Sequence, residues 1–271
     1  MRVHTINCGT MRPRWLRGTA SGLIGARCLL IESERGLVLV DTGFGLADVA
    51  DGGAALGPML RFGARPALDP AETAIRRIEA LGLDPGDVRH IVLTHLDADH
   101  AGGLRDFPRA LVHLHAREHA AMTRPTWRER PRYRAGQWAH GPAWVLHEEA
   151  GEPWHGFAAV REPLPGLPVL MVPLHGHTRG HTGVAVETER GWLLHVGDAL
   201  FWRAELGPGR AGDAVRRARG GPGTLPRSLG AAQRALAEDH AAWAHNRARL
   251  RRLVRDHPGQ IEVVTSHDPV P

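Results

Sequence analysis

Apolar residues occur along the chain in short runs that end in glycine, proline or aspartate, a pattern typical of alternating strands and helices. These runs predict strands near residues 3–6, 26–31, 36–40, 89–94, 110–115, 168–173, 182–188, 191–196 and 261–265. Helical patterns separate several of them. The alternation predicts a fold of the α/β class.

The clearest helix signal is the segment Asp69-Pro70-Ala71-Glu72, which has an N-cap aspartate, a proline at the first helical position and an acid at the third. Gly82 follows as a stop, so the spacing predicts a helix over 70–81. A further helical pattern begins near Ala116, and another lies between about 227 and 256. The basic stretch Arg247–Arg255 of the last one is interpreted as a solvated helix face.

Length and composition indicate one compact α/β domain over residues 1–271, because 42% of the residues are hydrophobic. No apolar run reaches the length of a membrane span and no leader pattern is present, so we expect no membrane segment and a cytoplasmic location. The two cysteines, Cys8 and Cys28, are interpreted as ordinary thiols. All 34 basic residues are arginines spread over the chain, so no nucleic-acid partner is expected.

The segment Thr94–Gly103 concentrates the candidate chemistry of the chain, directly after an apolar run at 91–93. It holds two histidines and two aspartates within six residues: His95, Asp97, Asp99 and His100. Residues two apart in an extended segment point the same way, so His95 and Asp97 can share one metal ion. The other two can serve a second ion. A pair of ions also needs a bridging carboxylate and histidines from distant parts of the chain.

Three later predicted strands each end near a residue that can bind a metal ion. His177 lies in a Gly-rich turn after the strand at 168–173, and His267 lies in a turn after the last strand. The strand at 191–196 ends in Gly197-Asp198, which makes Asp198 the natural bridging carboxylate. The predicted metal ligands are therefore His95, Asp97, Asp99, His100, His177, Asp198 and His267.

The order of these motifs resembles that of the metallo-β-lactamase fold superfamily, whose signature is His-x-His-x-Asp-His, then Gly-His, Gly-Asp and a late histidine. Leu37–Gly43 looks like the early strand and Asp-Thr-Gly turn of that family. The resemblance implies a four-layer αββα sandwich with two divalent metal ions, zinc first, and a bridging hydroxide as nucleophile. It also implies that Asp99 orients the nucleophile or moves a proton, and that Asp41 and Thr42 hold ligands in place.

Two departures from the family pattern matter. Asp97 stands where the family has its second histidine, and its harder carboxylate oxygen makes iron and manganese alternatives to zinc. Lactonase-like members have a tyrosine after the bridging aspartate, where this chain has Phe201 and Trp202. Tyr133 is the only tyrosine, and we hypothesise that it supplies the missing hydroxyl. Asp99 and Tyr133 are therefore the predicted catalytic residues.

Two inserts are expected to shape the substrate site. The segment 123–154 is rich in tryptophan and is predicted to be an irregular lid, with a surface excursion covering the core as the alternative. The segment 201–227 is rich in Gly, Pro and Arg and is predicted to be a loop near the site. The remaining histidines, among them His113 and His181, are interpreted as non-ligands.

The resemblance is strongest to lactonase-like members, so the predicted function is a dinuclear metal-dependent hydrolase that attacks the carbonyl of an ester or lactone. Alternatives are a thioester hydrolase of the glyoxalase II kind, a phosphodiesterase or nuclease, an iron-dependent oxidoreductase of the same fold, and a non-catalytic metal-binding scaffold. A small-molecule substrate is expected. The oligomeric state is open, with a homodimer as one alternative.

Overall fold

The computed structural model describes residues 1–16, 22–148, 150–207 and 227–270. Its strands are β1 (Arg2–Met11), β2 (Ile24–Ser33), β3 (Gly36–Val40), β4 (Val88–Val92), β5 (Leu111–His115), β6 (Ala143–His147), β7 (Glu152–Trp154), β8 (Phe157–Val160), β9 (Val169–Pro173), β10 (Thr182–Thr188), β11 (Gly191–His195) and β12 (Ile261–Val264). Its α-helices are α1 (Leu46–Ala50), α2 (Ala74–Ala80), α3 (Ala98–Ala101), α4 (Ala116–Thr123), α5 (Arg227–Leu236) and α6 (His240–Asp256).

The chain divides into two compact units, the first formed by Met1–His147 with the last residues from Pro269, the second by Glu148–Asp268. The first unit contains a six-stranded sheet in the order β1-β2-β3-β4-β5-β6. Its first three strands pair antiparallel, and β3 to β6 pair parallel. Because parallel strands place their carboxyl ends at one edge, loops after β4 and β5 lie near each other.

The core of the first unit follows from side-chain alternation along the sheet. Leu37 and Leu39 of β3 and Ile91 of β4 point to one face, where they pack with Ile78 of α2. Each fully buried side chain of this kind contributes about 1.5–3 kcal/mol. The strands are thereby fixed in register, which positions the loops at their ends.

The second unit contains a four-stranded sheet in the order β12-β11-β10-β9 and a two-stranded β7-β8 hairpin. The pair β11-β12 is parallel, while β9, β10 and β11 pair antiparallel. Leu250 and Leu253 of α6 pack in one core with Leu194 and Ile261. The ends of β11 and β12 therefore lie side by side at one sheet edge.

The interpretation of Arg247–Arg255 as a solvated face is wrong at Arg247. This side chain is buried, forms an ion pair with Glu205 and lies 4.2 Å over the ring of Trp243. Arg251 donates from Nε to the carbonyl of Glu205 at 2.9 Å. These contacts attach α6 to the loop that follows Asp198, so the basic face has a structural use.

The predicted strands are confirmed, but the helix predicted over 70–81 is divided. Residues Pro70–Glu72 form a separate 3₁₀ turn, and α2 begins only at Ala74 because Thr73 is extended. The Glu72 carboxylate accepts hydrogen bonds from the backbone N–H and the hydroxyl of Thr10, each at 2.7 Å, which holds this turn against β1. A tertiary contact has overridden the helical pattern.

The expectation that segment 123–154 lacks regular structure is wrong in its second half. Ala143–His147 forms β6, the edge strand beside β5, and Glu152–Trp154 forms β7.

The described helices include none with the length and hydropathy that crossing a bilayer requires. Of the predicted loop at 201–227, residues 208–226 lie outside the described part of the chain.

Three histidines form a hydrogen-bonded series across neighbouring strands of the first unit. Nδ1 of His90 lies 3.0 Å from Nε2 of His113, and Nδ1 of His113 lies 3.0 Å from Nε2 of His147. Burial, together with the neighbouring His147 and His90, lowers the pKa of His113 to about 3. His113 is therefore neutral in the folded protein at ordinary pH, and each ring can donate to the next.

This series predicts that acid destabilises the protein through His113. In the unfolded chain the pKa of His113 returns to about 6.5, so the unfolded state binds the extra proton. The stability is complete above about pH 6.5 and is lost as the pH falls towards the folded pKa of about 3. We expect His113→Gln to flatten the pH dependence of urea unfolding between about pH 6.5 and 4. The exposed His245→Gln is the control, and an unchanged slope in His113→Gln would contradict the prediction.

Candidate functional site

The loop after β4 carries the four predicted ligands of the first unit. Nε2 of His95 lies 3.3 Å from Oδ2 of Asp97, as expected for two residues that share one ion. Nε2 of His100 lies 4.0 Å from Oδ2 of Asp99. Three of the four side chains are buried, and Asp97 is partly buried. The short helix α3 begins directly after Asp97 and turns the chain back.

Asp41 holds this loop in position. Its Oδ1 accepts the backbone N–H of Thr94 at 2.7 Å, and its Oδ2 accepts the Thr94 hydroxyl at 2.8 Å. The same Oδ2 lies 2.8 Å from Nδ1 of His100. With the Nδ1 proton directed at the carboxylate, Nε2 of His100 keeps a lone pair that could bind a metal ion. This arrangement agrees with the role expected for Asp41.

Thr42 and Gly43 complete the same turn. The Thr42 hydroxyl donates to the carbonyl of His100 at 2.9 Å and accepts the N–H of Gly103 at 3.1 Å. Gly43 has a φ of 63°, and a Cβ at this position would lie 2.3 Å from the backbone of Cys8. Only glycine fits such a close approach at positive φ. The Asp-Thr-Gly sequence is thus explained by its contacts.

The second unit places its three predicted ligands together. Asp198 follows β11 and His267 follows the neighbouring parallel strand β12, so both leave the same sheet edge. Nε2 of His177 lies 3.4 Å from Oδ2 of Asp198, and Nε2 of His267 lies 3.1 Å from Oδ1. The Asp198 carboxylate therefore lies between two imidazoles, with a different oxygen nearest each ring.

Neighbouring groups fix this arrangement. His181 accepts the backbone N–H of Asp198 on Nε2 at 2.9 Å, while its Nδ1 lies 3.2 Å from the carbonyl of Leu174. His181 thus supports the turn that carries Asp198. The ring of Phe201 lies 4.8 Å from the ring of His267, centroid to centroid. Arg203 forms an ion pair with Asp268, which holds the turn after His267.

Helix α4 and the segment after it contact the His95–His100 loop at three consecutive residues, Leu96 contacted from the helix and Asp97 and Ala98 from the segment. Arg132 forms an ion pair with Asp97. Gln137 donates from Nε2 to the carbonyl of Ala98 at 3.4 Å. Glu118 accepts the backbone N–H of Leu96 at 3.2 Å on the oxygen that also accepts the Tyr133 hydroxyl, at 3.3 Å. The first half of the predicted lid is therefore attached to the His95–His100 loop.

Sequence reasoning missed Glu118, Arg132 and Gln137. Arg132 is one of 34 basic residues and carries no distinguishing spacing. Glu118 lies within the first turn of α4, where an acid is ordinary.

Burial, followed by the charge of Glu118, raises the pKa of Tyr133 well above its usual range. The Tyr133 hydroxyl therefore keeps its proton and acts as a hydrogen-bond donor.

Both units carry residues that could hold a metal ion: His95, Asp97, Asp99 and His100 in the first, and His177, Asp198 and His267 in the second. Their donors are imidazole nitrogens and carboxylate oxygens. Such a set suits zinc, iron or manganese, because these ions bind imidazole nitrogen and carboxylate oxygen. The donor chemistry therefore fits catalytic divalent ions.

Residues 22–261 match the family model described as the Metallo-beta-lactamase superfamily. The chain belongs to this superfamily. A "probable metallo-hydrolase" of Mycobacterium tuberculosis is 44% identical over 273 residues, which cover 99% of this chain and 81% of that relative. An N-acyl homoserine lactonase of a Bacillus species is 29% identical over 178 residues, which cover 64% of this chain and 63% of the lactonase.

Solved structures show the same fold. An N-acyl homoserine lactone hydrolase, solved with N-hexanoyl-L-homoserine at its catalytic metal centre, has a TM-score of 0.69 at 22% identity and covers 98% of this chain and 92% of its own. A dizinc quorum-quenching lactonase has a TM-score of 0.60 at 15% identity, with 99% and 87% covered. The predicted α/β class and family are confirmed, and as a metallo-β-lactamase superfamily member the protein is a metal-dependent hydrolase.

Proposed function

We propose that the protein is a dinuclear hydrolase that attacks the carbonyl of an ester or lactone. The observation that carries this proposal is the position of Asp198 between two histidines. Oδ2 lies 3.4 Å from Nε2 of His177 and 3.3 Å from Nε2 of His267, and Oδ1 lies 3.1 Å from Nε2 of His267. A carboxylate that lies between two imidazoles in this way is suited to bridging two ions.

In this proposal His95, Asp97 and His177 hold one ion, and Asp99, His100 and His267 hold the other, with Asp198 shared. When bound, such a pair of ions supplies hydroxide near neutral pH and polarises a carbonyl oxygen. We propose zinc in both positions. The harder oxygen of Asp97 keeps iron and manganese as alternatives for the first.

The protein's own groups have separate tasks in this proposal. Asp99 accepts a proton from the nucleophile and passes it to the leaving oxygen. Asp41 keeps His100 in one tautomer and one orientation through the 2.8 Å contact at Nδ1. The ring of Phe201 lies against His267 and limits the access of water on that side.

Tyr133 is the proposed hydrogen-bond donor to the substrate. Its hydroxyl donates to Glu118 in this structure, and in the proposal it turns from that carboxylate to the substrate when a substrate binds. We expect Tyr133→Phe to lower kcat at least about tenfold, since one polar contact in the transition state is lost. Metal content should not change. Trp127→Phe, in the same segment but 80% exposed, is the control; unchanged turnover in Tyr133→Phe would end this assignment.

The proposed substrate class is supported by the N-acyl homoserine lactonases that are 26–29% identical to this chain. The test compares an N-acyl homoserine lactone, a simple ester and S-acyl glutathione, using metal-free protein and protein reloaded with zinc, manganese or, without oxygen, iron. We expect no hydrolysis without metal and the highest kcat/KM on the lactone or ester. Faster turnover of S-acyl glutathione would favour the thioester hydrolase instead.

An iron-dependent oxidoreductase has one observation in its favour, the carboxylate at Asp97. Oxygen consumption by the iron-loaded protein, with no hydrolysis of any substrate in the panel, would replace the hydrolase proposal. We expect a small-molecule substrate. The cytoplasmic location stays a prediction from the sequence, and the oligomeric state stays open, with a homodimer as one alternative.

A further inference from the structure

Arg132 differs from the arginines around it. Arg124, Arg128 and Arg130 are exposed to solvent, whereas the side chain of Arg132 is only 8% exposed. Its Nη1 donates to Oδ2 of Asp97, whose side chain is 16% exposed. Removing a cation from water costs free energy unless an anion compensates it. The ion pair with Asp97 supplies that compensation.

The turn that carries Arg132 is itself well anchored. The N–H of Arg132 donates to the carbonyl of Glu129 at 2.9 Å. The buried Glu129 carboxylate accepts the N–H of Thr126 at 2.8 Å. Five residues further on, Gln137 donates to the carbonyl of Ala98. The guanidinium therefore reaches Asp97 from a backbone that these hydrogen bonds hold in place.

The same carboxylate oxygen faces the predicted metal ligands. Oδ2 of Asp97 contacts Arg132 and lies 3.3 Å from Nε2 of His95. An ion held by His95 and Asp97 would share this carboxylate with the guanidinium. A positive charge at this range opposes the binding of a dication and offsets the added attraction of the carboxylate.

We propose, resting on the dinuclear function above, that Arg132 is the charge-compensating partner of Asp97. The pair, and not the carboxylate alone, then sets how tightly the first metal site binds its ion. The pair is neutral as a whole, like an imidazole ligand, although one of its members is an anion. Arg132 is a positioning residue in this proposal, because it acts through Asp97 and touches no reacting atom.

The test is a zinc titration against a competing chromophoric chelator, without substrate. The proteins compared are the unaltered chain, Arg132→Gln, Asp97→Asn and the double variant. We expect Arg132→Gln to bind the first-site zinc about tenfold more tightly, because a nearby positive charge is removed. Asp97→Asn should bind it more weakly, and the double variant should lie between the two single variants.

Two further variants separate charge from structure. Arg132→Lys keeps the charge without the planar fork, so its zinc affinity should stay within about threefold of the unaltered chain. Arg130→Gln, at the exposed neighbour, should change nothing. The rise in Tm on adding zinc should be larger for Arg132→Gln than for the unaltered chain.

Weaker zinc binding in both Arg132→Gln and Arg132→Lys would show that Arg132 serves to hold Asp97 in position, and it would overturn the charge proposal. Unchanged binding in Arg132→Gln would overturn it as well. The proposed hydrolase can fail separately. If the unaltered chain binds two zinc ions with the expected dependence on Arg132 but hydrolyses no substrate, only the hydrolase proposal is wrong. If it binds fewer than two, both proposals are wrong.

Discussion

Substituting Asp198 by asparagine should lower kcat/KM on the best substrate at least about 10³-fold and reduce the bound metal below two ions per chain. Both side-chain oxygens of Asp198 lie near His267, and Oδ2 lies 3.4 Å from His177 as well. An amide keeps a single oxygen and presents an NH₂ group in place of the second. It can serve one ion but cannot bridge two.

The Asp198→Asn variant is well suited to this test because little else should change. The backbone N–H of Asp198 still donates to His181, so the turn keeps its anchor. Metal content is measured by elemental analysis beside steady-state kinetics. Asp256→Asn, an exposed carboxylate of the same unit that pairs with Arg255, is the matched control. Two bound ions and full activity in Asp198→Asn would exclude a bridging role.

The order of the motifs was sufficient to predict the family and the strands that carry the candidate ligands. Each candidate ligand follows an apolar run, and an apolar run of that length forms a strand whose end has a fixed place in the sheet. The spacing of His95 and Asp97 was equally informative, because residues two apart in an extended segment point the same way and these two side chains approach to 3.3 Å. Local chemistry determines such features, so they can be read from a sequence.

What could not be predicted depends on contacts between distant segments. Arg132 reaches Asp97 across 35 positions of sequence, and nothing near Arg132 marks it among 34 basic residues. Arg247 has the spacing of a solvated helix face, yet its side chain is buried in an ion pair with Glu205. Buried ion pairs of this kind are set by how the chain packs, since each partner alone would favour water.

Asp41→Asn should weaken zinc binding at the site of His100 about 10- to 100-fold, the range found when an outer partner of a metal-binding histidine is lost. Asp41 has a φ of 57°, a conformation that asparagine also adopts, so the backbone should be retained. The amide oxygen can still accept the N–H of Thr94. Its NH₂ group, however, would face the Nδ1 proton of His100, where Oδ2 now lies 2.8 Å away.

Two donors facing each other cannot share a proton, so the His100 ring must rotate or change tautomer, and either change moves the Nε2 lone pair away from the ion. The zinc affinity measured by titration and the kcat/KM should therefore fall together in Asp41→Asn. Asp69→Asn is the matched control, because Asp69 caps a turn of the same unit and asparagine caps equally well. Unaltered zinc affinity in Asp41→Asn would mean that Thr94 alone orients the loop, through its 3.4 Å contact with His100.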